Sequence, residues 1–102
     1  MLVHRCAVDG SEVRVRLATL VVVRRESQDA LDWEVVAETV DDTRVELGRN
    51  ELALTVVSGA DGHGDVELAD LRGEAQVVRF LDRSVVWRGD GPLLGFDNAW
   101  FG

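Results

Sequence analysis

Between Val13 and Val23 the chain reads VRVRLATLVVV, and no other stretch constrains the fold as strongly. Side chains of a β-strand alternate between two faces, so period-two patterning is the primary strand signal. Val13, Val15, Leu17, Thr19, Val21 and Val23 fall on one face, apolar nearly throughout. Arg14, Arg16, Ala18, Leu20, Val22 and Arg24 fall on the other, which is charged at both ends and apolar between. The pattern predicts one long strand, with one wet face at its start and both faces buried beyond Ala18. At strand rise it would span roughly 36 Å, well beyond the usual length of about five or six residues. A strand of that length bends, and belongs to a barrel wall or to two packed sheets. Its β-branched residues disfavour a helix.

The remaining segments read as further short strands. Leu2 to Val8 is a first strand, and Asp9-Gly10 is a hairpin signal joining it to the long one. Leu31 to Val40 alternates, with Leu31, Trp33, Val35 and Ala37 on one side and acidic residues on the other. Val45 to Asn50 reads as a short arm. Glu51 to Val57 is a fourth strand with Leu52, Leu54 and Val56 inward. Ser58 to Gly64 reads as a loop, Val66 to Leu68 as a strand and Asp70 to Gly73 as a turn. Glu74 to Leu81 and Val85 to Arg88 form a closing hairpin across Asp82-Arg83-Ser84. Gly89-Asp90-Gly91-Pro92 ends the sheet, since Pro donates no ladder hydrogen bond. These segments predict an all-β fold, a small antiparallel barrel or two-sheet sandwich of six to eight strands. The chain of 102 residues is expected to form one domain over 1–102, with an apolar tail at 93–102 that docks on it or on a partner.

Charge narrows the partners. The net charge is −8, which argues against nucleic acid and anionic membranes, since both need a basic footprint. Every basic residue is Arg, and Lys, Ile and Tyr are absent, which reads as the codon bias of a GC-rich bacterial genome, with halophilic adaptation as the alternative source of an acidic, Lys-free chain. The single cysteine excludes an internal disulfide. The first ten residues lack a signal-peptide pattern, and the longest apolar run, Leu20 to Val23, is far below the roughly 20 residues of a membrane span. A cytoplasmic location is expected.

A closing pattern carries a family resemblance. Gly73-Glu74-Ala75, a hairpin, Val86-Trp87-Arg88-Gly89-Asp90-Gly91-Pro92 and Phe96 follow a strand that ends in Asp-Gly, the Val13–Leu17 alternation and a strand bearing Trp33. Together they resemble a small actinobacterial β-domain of unknown function that is sometimes appended to flavin-dependent monooxygenases. The Tyr-x-Gly start of that family and its Gly-Arg after the Trp are missing here. The resemblance implies a fold, and no site residue is carried over from it.

Few residues suggest chemistry. His4 and Cys6 share a strand face by spacing, but no residue is placed to orient the imidazole, and the pair reads as a buried thiol beside a surface histidine. Asp61, Asp65 and Glu67 alternate through a glycine-rich loop as oxygen ligands for calcium would, yet His63 interrupts the set and the spacing fails an EF-hand. Arg88-Gly89-Asp90 spells an integrin-recognition tripeptide, for which a turn is sufficient explanation. No nucleotide-binding, hydrolase or zinc-protease motif occurs, and neither an enzyme nor a cofactor is indicated. The aromatic residues Trp87, Phe96, Trp100 and Phe101 are the candidates for contact with a partner, Trp33 and Trp87 being drawn to the core by the area a Trp buries. The expected function is a non-catalytic accessory or protein-interaction domain, acting through an exposed strand edge or the aromatic tail, with self-association included. The alternative is a small barrel that binds or acts on an apolar small molecule.

Overall fold

A computed structural model of the chain describes residues 1–24, 31–40, 48–60 and 63–101. They form one seven-stranded antiparallel sheet: β1 (Val3–Val8), β2 (Ser11–Val13), β3 (Val15–Arg24), β4 (Leu31–Thr39), β5 (Arg49–Ala60), β6 (Val66–Leu81) and β7 (Ser84–Gly89), followed by a 3₁₀ turn, η1 (Asn98–Phe101). The strand order is β2-β1-β5-β6-β7-β4-β3. The sheet curls until its ends meet, where Leu2 forms a single antiparallel bridge with Thr19 of β3. Among the described residues no continuous ladder closes it into a barrel.

The Val13–Val23 stretch is divided between opposite ends of this sheet. β2 pairs with β1 and β3 pairs with β4, so the chain crosses over at Arg14. A bulge between Val15 and Leu17 then adds a residue and exchanges the two faces. Ala18 and Leu20 are consequently buried and Val22 half-buried, whereas Leu17, Val21 and Val23 are about half exposed. The expectation that both faces are buried beyond Ala18 is therefore corrected: one extra residue moves Leu17, Val21 and Val23 to the opposite, exposed face. A bulge between Val3 and Arg5 similarly separates exposed His4 from buried Cys6.

In β4, and in β5 as far as Val57, the alternation holds. Trp33, Val35 and Ala37 of β4 and Leu52, Leu54 and Val56 of β5 line the concave side and form the core with Leu71, Ala75, Val85 and Trp87. The Asp9-Gly10 turn has both residues at positive φ (50° and 84°), as a two-residue hairpin requires. β6 runs unbroken for 16 residues, and the turn expected at Asp70–Gly73 is replaced by strand. The glycine there serves packing. A Cβ on Gly73 would lie 2.5 Å from the Trp33 ring, and one on Gly89 only 2.2 Å from it. Two strand glycines thus open a bay in which the Trp33 indole lies across β7 and reaches β6. β5 extends through Ala60, beyond the strand expected to end at Val57.

Candidate functional site

The site is built where the sheet fails to close. β3 is the last strand of the sheet, paired on one side with β4. Among the described residues its other side is covered as far as Leu20: the Leu20 N–H donates to Met1 O at 2.8 Å, and the Met1 amine donates to Leu20 O at 2.7 Å. Backbone groups of an antiparallel strand point alternately to its two sides, so the N–H and C=O of Val22 project to the same side as those of Leu20. Among the described residues no strand pairs with that side beyond Leu20.

The C-terminal segment reaches the same seam. Leu94 makes two backbone hydrogen bonds with Arg72, extending the line of β7 beside β6. Gly95 has φ +90°, and a Cβ there would stand 2.5 Å from Asp70 O, so the chain turns sharply at a position only glycine fits. Trp33 Nε1 donates to Gly91 O at 3.0 Å and fixes the preceding turn. Leu93 is buried in the core. Phe96 and Trp100 pack edge to face with ring centroids 5.1 Å apart, both partly buried against the core. They line, with Met1, Thr19, Leu20, Val21 and Val22, a groove of about 280 Å³.

A second groove, about 270 Å³, lies on the convex side of the same edge. Its floor is Val21 and Val23, and Asp32 and Glu34 stand directly across from them on β4. Arg88 contributes a cation, at 3.9 Å from Glu34. A wider groove of about 370 Å³ crosses β1, β5 and β6. Polar groups there engage one another: Arg5 lies 3.8 Å from Glu12, and Thr55 Oγ1 donates to Asp70 at 2.8 Å.

The structure separates the aromatic candidates. Phe96 and Trp100 meet at the seam. Trp87 is fully buried, and its Nε1 donates to Asn50 Oδ1 at 3.3 Å, which corrects its assignment to a contact surface: a strand-borne indole with a buried hydrogen-bond partner belongs to the core. Phe101 is placed in η1. Asp61 lies outside the described residues, Asp65 and Glu67 are exposed, and no group of three metal-ligating side chains occurs among the described residues. Burial pushes the Cys6 thiol up from its ordinary 9.0 to about 11, the opposite of an activated nucleophile. Gly89 of the Arg-Gly-Asp tripeptide is the last residue of β7, packed on Trp33, and the Asp90 N–H donates to Glu74 O, so the tripeptide does not stand out as a loop. Sequence reasoning missed the exposed Val21–Val23 row, because the bulge that exposes it leaves no residue-type signal.

Among the described residues no helix is long and apolar enough to cross a membrane. Comparison with family models, curated proteins and solved structures finds no match for this chain.

Proposed function

We propose that the chain is a non-catalytic interaction domain that takes an extended segment of a protein partner along the open side of β3. One observation carries the reading: the sheet's open edge and the Phe96–Trp100 pair flank the same seam. Strand addition draws affinity from main-chain hydrogen bonds and specificity from pockets for alternate side chains. The proposal includes a bacterial, cytoplasmic setting and a partner other than nucleic acid, supported by the net charge of −8 and the all-Arg composition. Packing favours it over an apolar ligand held inside a barrel, because Trp33, Trp87, Leu52 and Leu54 fill the concave side.

Selection from a displayed library of random linear peptides, followed by amide and indole NMR shift mapping with the best binder, tests the proposal. Shifts confined to Leu20–Val23 and the Trp100 indole are expected. Shifts centred elsewhere, or a selection that yields no binder, would overturn it.

A further inference from the structure

We infer that the convex face of β4 and β7 is a contact between two copies of this chain, related by a two-fold axis that runs along the strands between β4 and β7. The face lies inward of the open β3 edge and is independent of the strand-addition reading. Its centre is apolar, where an exposed sheet face is ordinarily polar. Val35, Ala37, Val85 and Trp87 are buried, so Val36 and Val86 point outward, directly opposite one another across the β4–β7 ladder. On β3, Leu17 pairs with Glu38, between buried Ala37 and Thr39, and points outward as well. On β6, Leu81 pairs with Ser84, one step from buried Val85, and Val78 shares a groove with Gln76 and Arg88. Leu17, Val78 and Leu81 are each about half exposed. The molecule is flattened, 38 × 37 × 21 Å, so this broad face curves only gently. Contiguous exposed apolar surface marks an interaction site.

Charge decides the occupant. A chain of net charge −8 repels its own copies over most of its surface. This face is the exception, because Glu34 and Glu38 stand among Arg88, Arg16 and Arg79. In a two-fold interface, if one residue meets a second, the second meets the first. An axis along the strands between β4 and β7 exchanges those two strands, and exchanges β3 with β6. Val36 of each copy then meets Val86 of the other. One row away, Glu34 of each copy meets Arg88 of the other; within one chain these two are ladder partners, but only 3.9 Å apart at their closest and partly exposed. On the flanks Leu17 meets Leu81, and Thr19 meets Arg79. No like charges oppose one another. An axis across the strands would set Glu34 against Glu38 of the other copy, so charge selects the first arrangement. Strands of the two sheets are then aligned, as in a sandwich. The footprint of four strands by three rows is roughly 20 × 15 Å. That is below the ~800 Å² a side of a standard interface, so the association is weak.

Sedimentation equilibrium of the intact chain between about 10 μM and 1 mM should show the mass rising towards that of a dimer. Glu34→Arg and Arg88→Glu, each alone, oppose like charges twice across the axis and should weaken self-association at least about tenfold. A retained cooperative melting transition is the folding control. Mixed in equal amounts, the two variants regain both opposite-charge contacts, and the mixture should associate within about threefold of the unmodified chain. A monomer at every concentration, or a mixture no better than either variant alone, would overturn the inference. Tighter association of Glu34→Arg, which makes the chain less acidic, would assign the effect to net charge and overturn it too. Dilution should shift the Val36 and Val86 amide resonances; shifts at Val22 and the Trp100 indole instead would move the contact to the β3 edge and remove this face.

Discussion

Gly89 has no side chain because Trp33 occupies the space one would need. Its Cβ would overlap ring atoms held in place by the Nε1 bond to Gly91 O, so the indole cannot retreat without breaking that bond. Gly89→Ala should lower stability by about 1–3 kcal/mol, the range for overpacking a filled core. Gly59→Ala is the contrast: its Cβ would meet only a Glu67 carboxylate oxygen at 3.5 Å, and a change within about 0.5 kcal/mol is expected. Urea denaturation of both variants checks the pair, and equal effects would mean that the Trp33 bay is not tightly packed. Cys6 gives a second residue-scale prediction. Its thiol is neutral and buried in the fold, with its pKa raised to about 11. A raised folded-state value means stability that is fully present below pH 9 and lost as pH rises towards 11, because the unfolded chain releases its proton first. The loss amounts to about 3 kcal/mol at most. The chain has no Lys and no Tyr, so no other side chain ordinarily titrates in that window. Cys6→Ala should therefore flatten the pH dependence of the urea midpoint between pH 9 and 11; a slope that persists would assign it to another group.

At the scale of elements, each strand was legible where its alternation ran uninterrupted and misread where one residue broke the rule. β4 and β5 present the faces their sequences predict, because nothing interrupts Trp33-Val35-Ala37 or Leu52-Leu54-Val56. β3 does not, because the bulge beside Arg16 reverses parity without any glycine or proline to announce it. β6 reads in the sequence as two strands split by a turn at Asp70–Gly73, since glycine beside charged residues reads as a turn, and the packing reason for Gly73 lies on β4, far away in sequence. The seam was half legible: the apolar tail marks itself, whereas the open edge of β3 depends on strand order. A polar chain running from the core at Trp87 out to exposed Asp9 ties three elements together. Trp87 Nε1 on β7 donates to Asn50 Oδ1 on β5, and Asn50 Nδ2 donates at 3.0 Å to Asp9 in the β1–β2 turn. Asp9 also accepts the Glu51 N–H at 2.8 Å. Asn50→Leu removes both Asn50 bonds and leaves the buried indole N–H unsatisfied, which costs about 1–3 kcal/mol. The urea midpoint should fall accordingly, and the Trp emission should change because the Trp87 bond is lost. A midpoint that stays put would show that the indole N–H finds another acceptor.

For the whole molecule, incomplete closure sets where the fold opens first. Most of the sheet is held by long ladders, but the seam depends on one bridge, two backbone bonds between Met1 and Leu20, and the aromatic pair against it. Local opening there breaks few bonds and exposes little core, so its free energy lies well below that of global unfolding. Native-state hydrogen exchange should show this as a graded pattern. Leu54, on a strand flanked by β1 and β6, should exchange near the global limit. Leu20 should exchange faster than Leu54, and Val22, on the open edge, faster than Leu20. Replacing Phe96 and Trp100 by Ala withdraws the apolar contacts that hold the seam, and the Leu20 protection should then fall by more than that of Leu54. Exchange of all three amides at one rate would mean that the seam opens only with the entire sheet. An edge that opens locally accepts an added strand without disturbing the core, and the exchange gradient between Leu20 and Leu54 measures how far that separation extends.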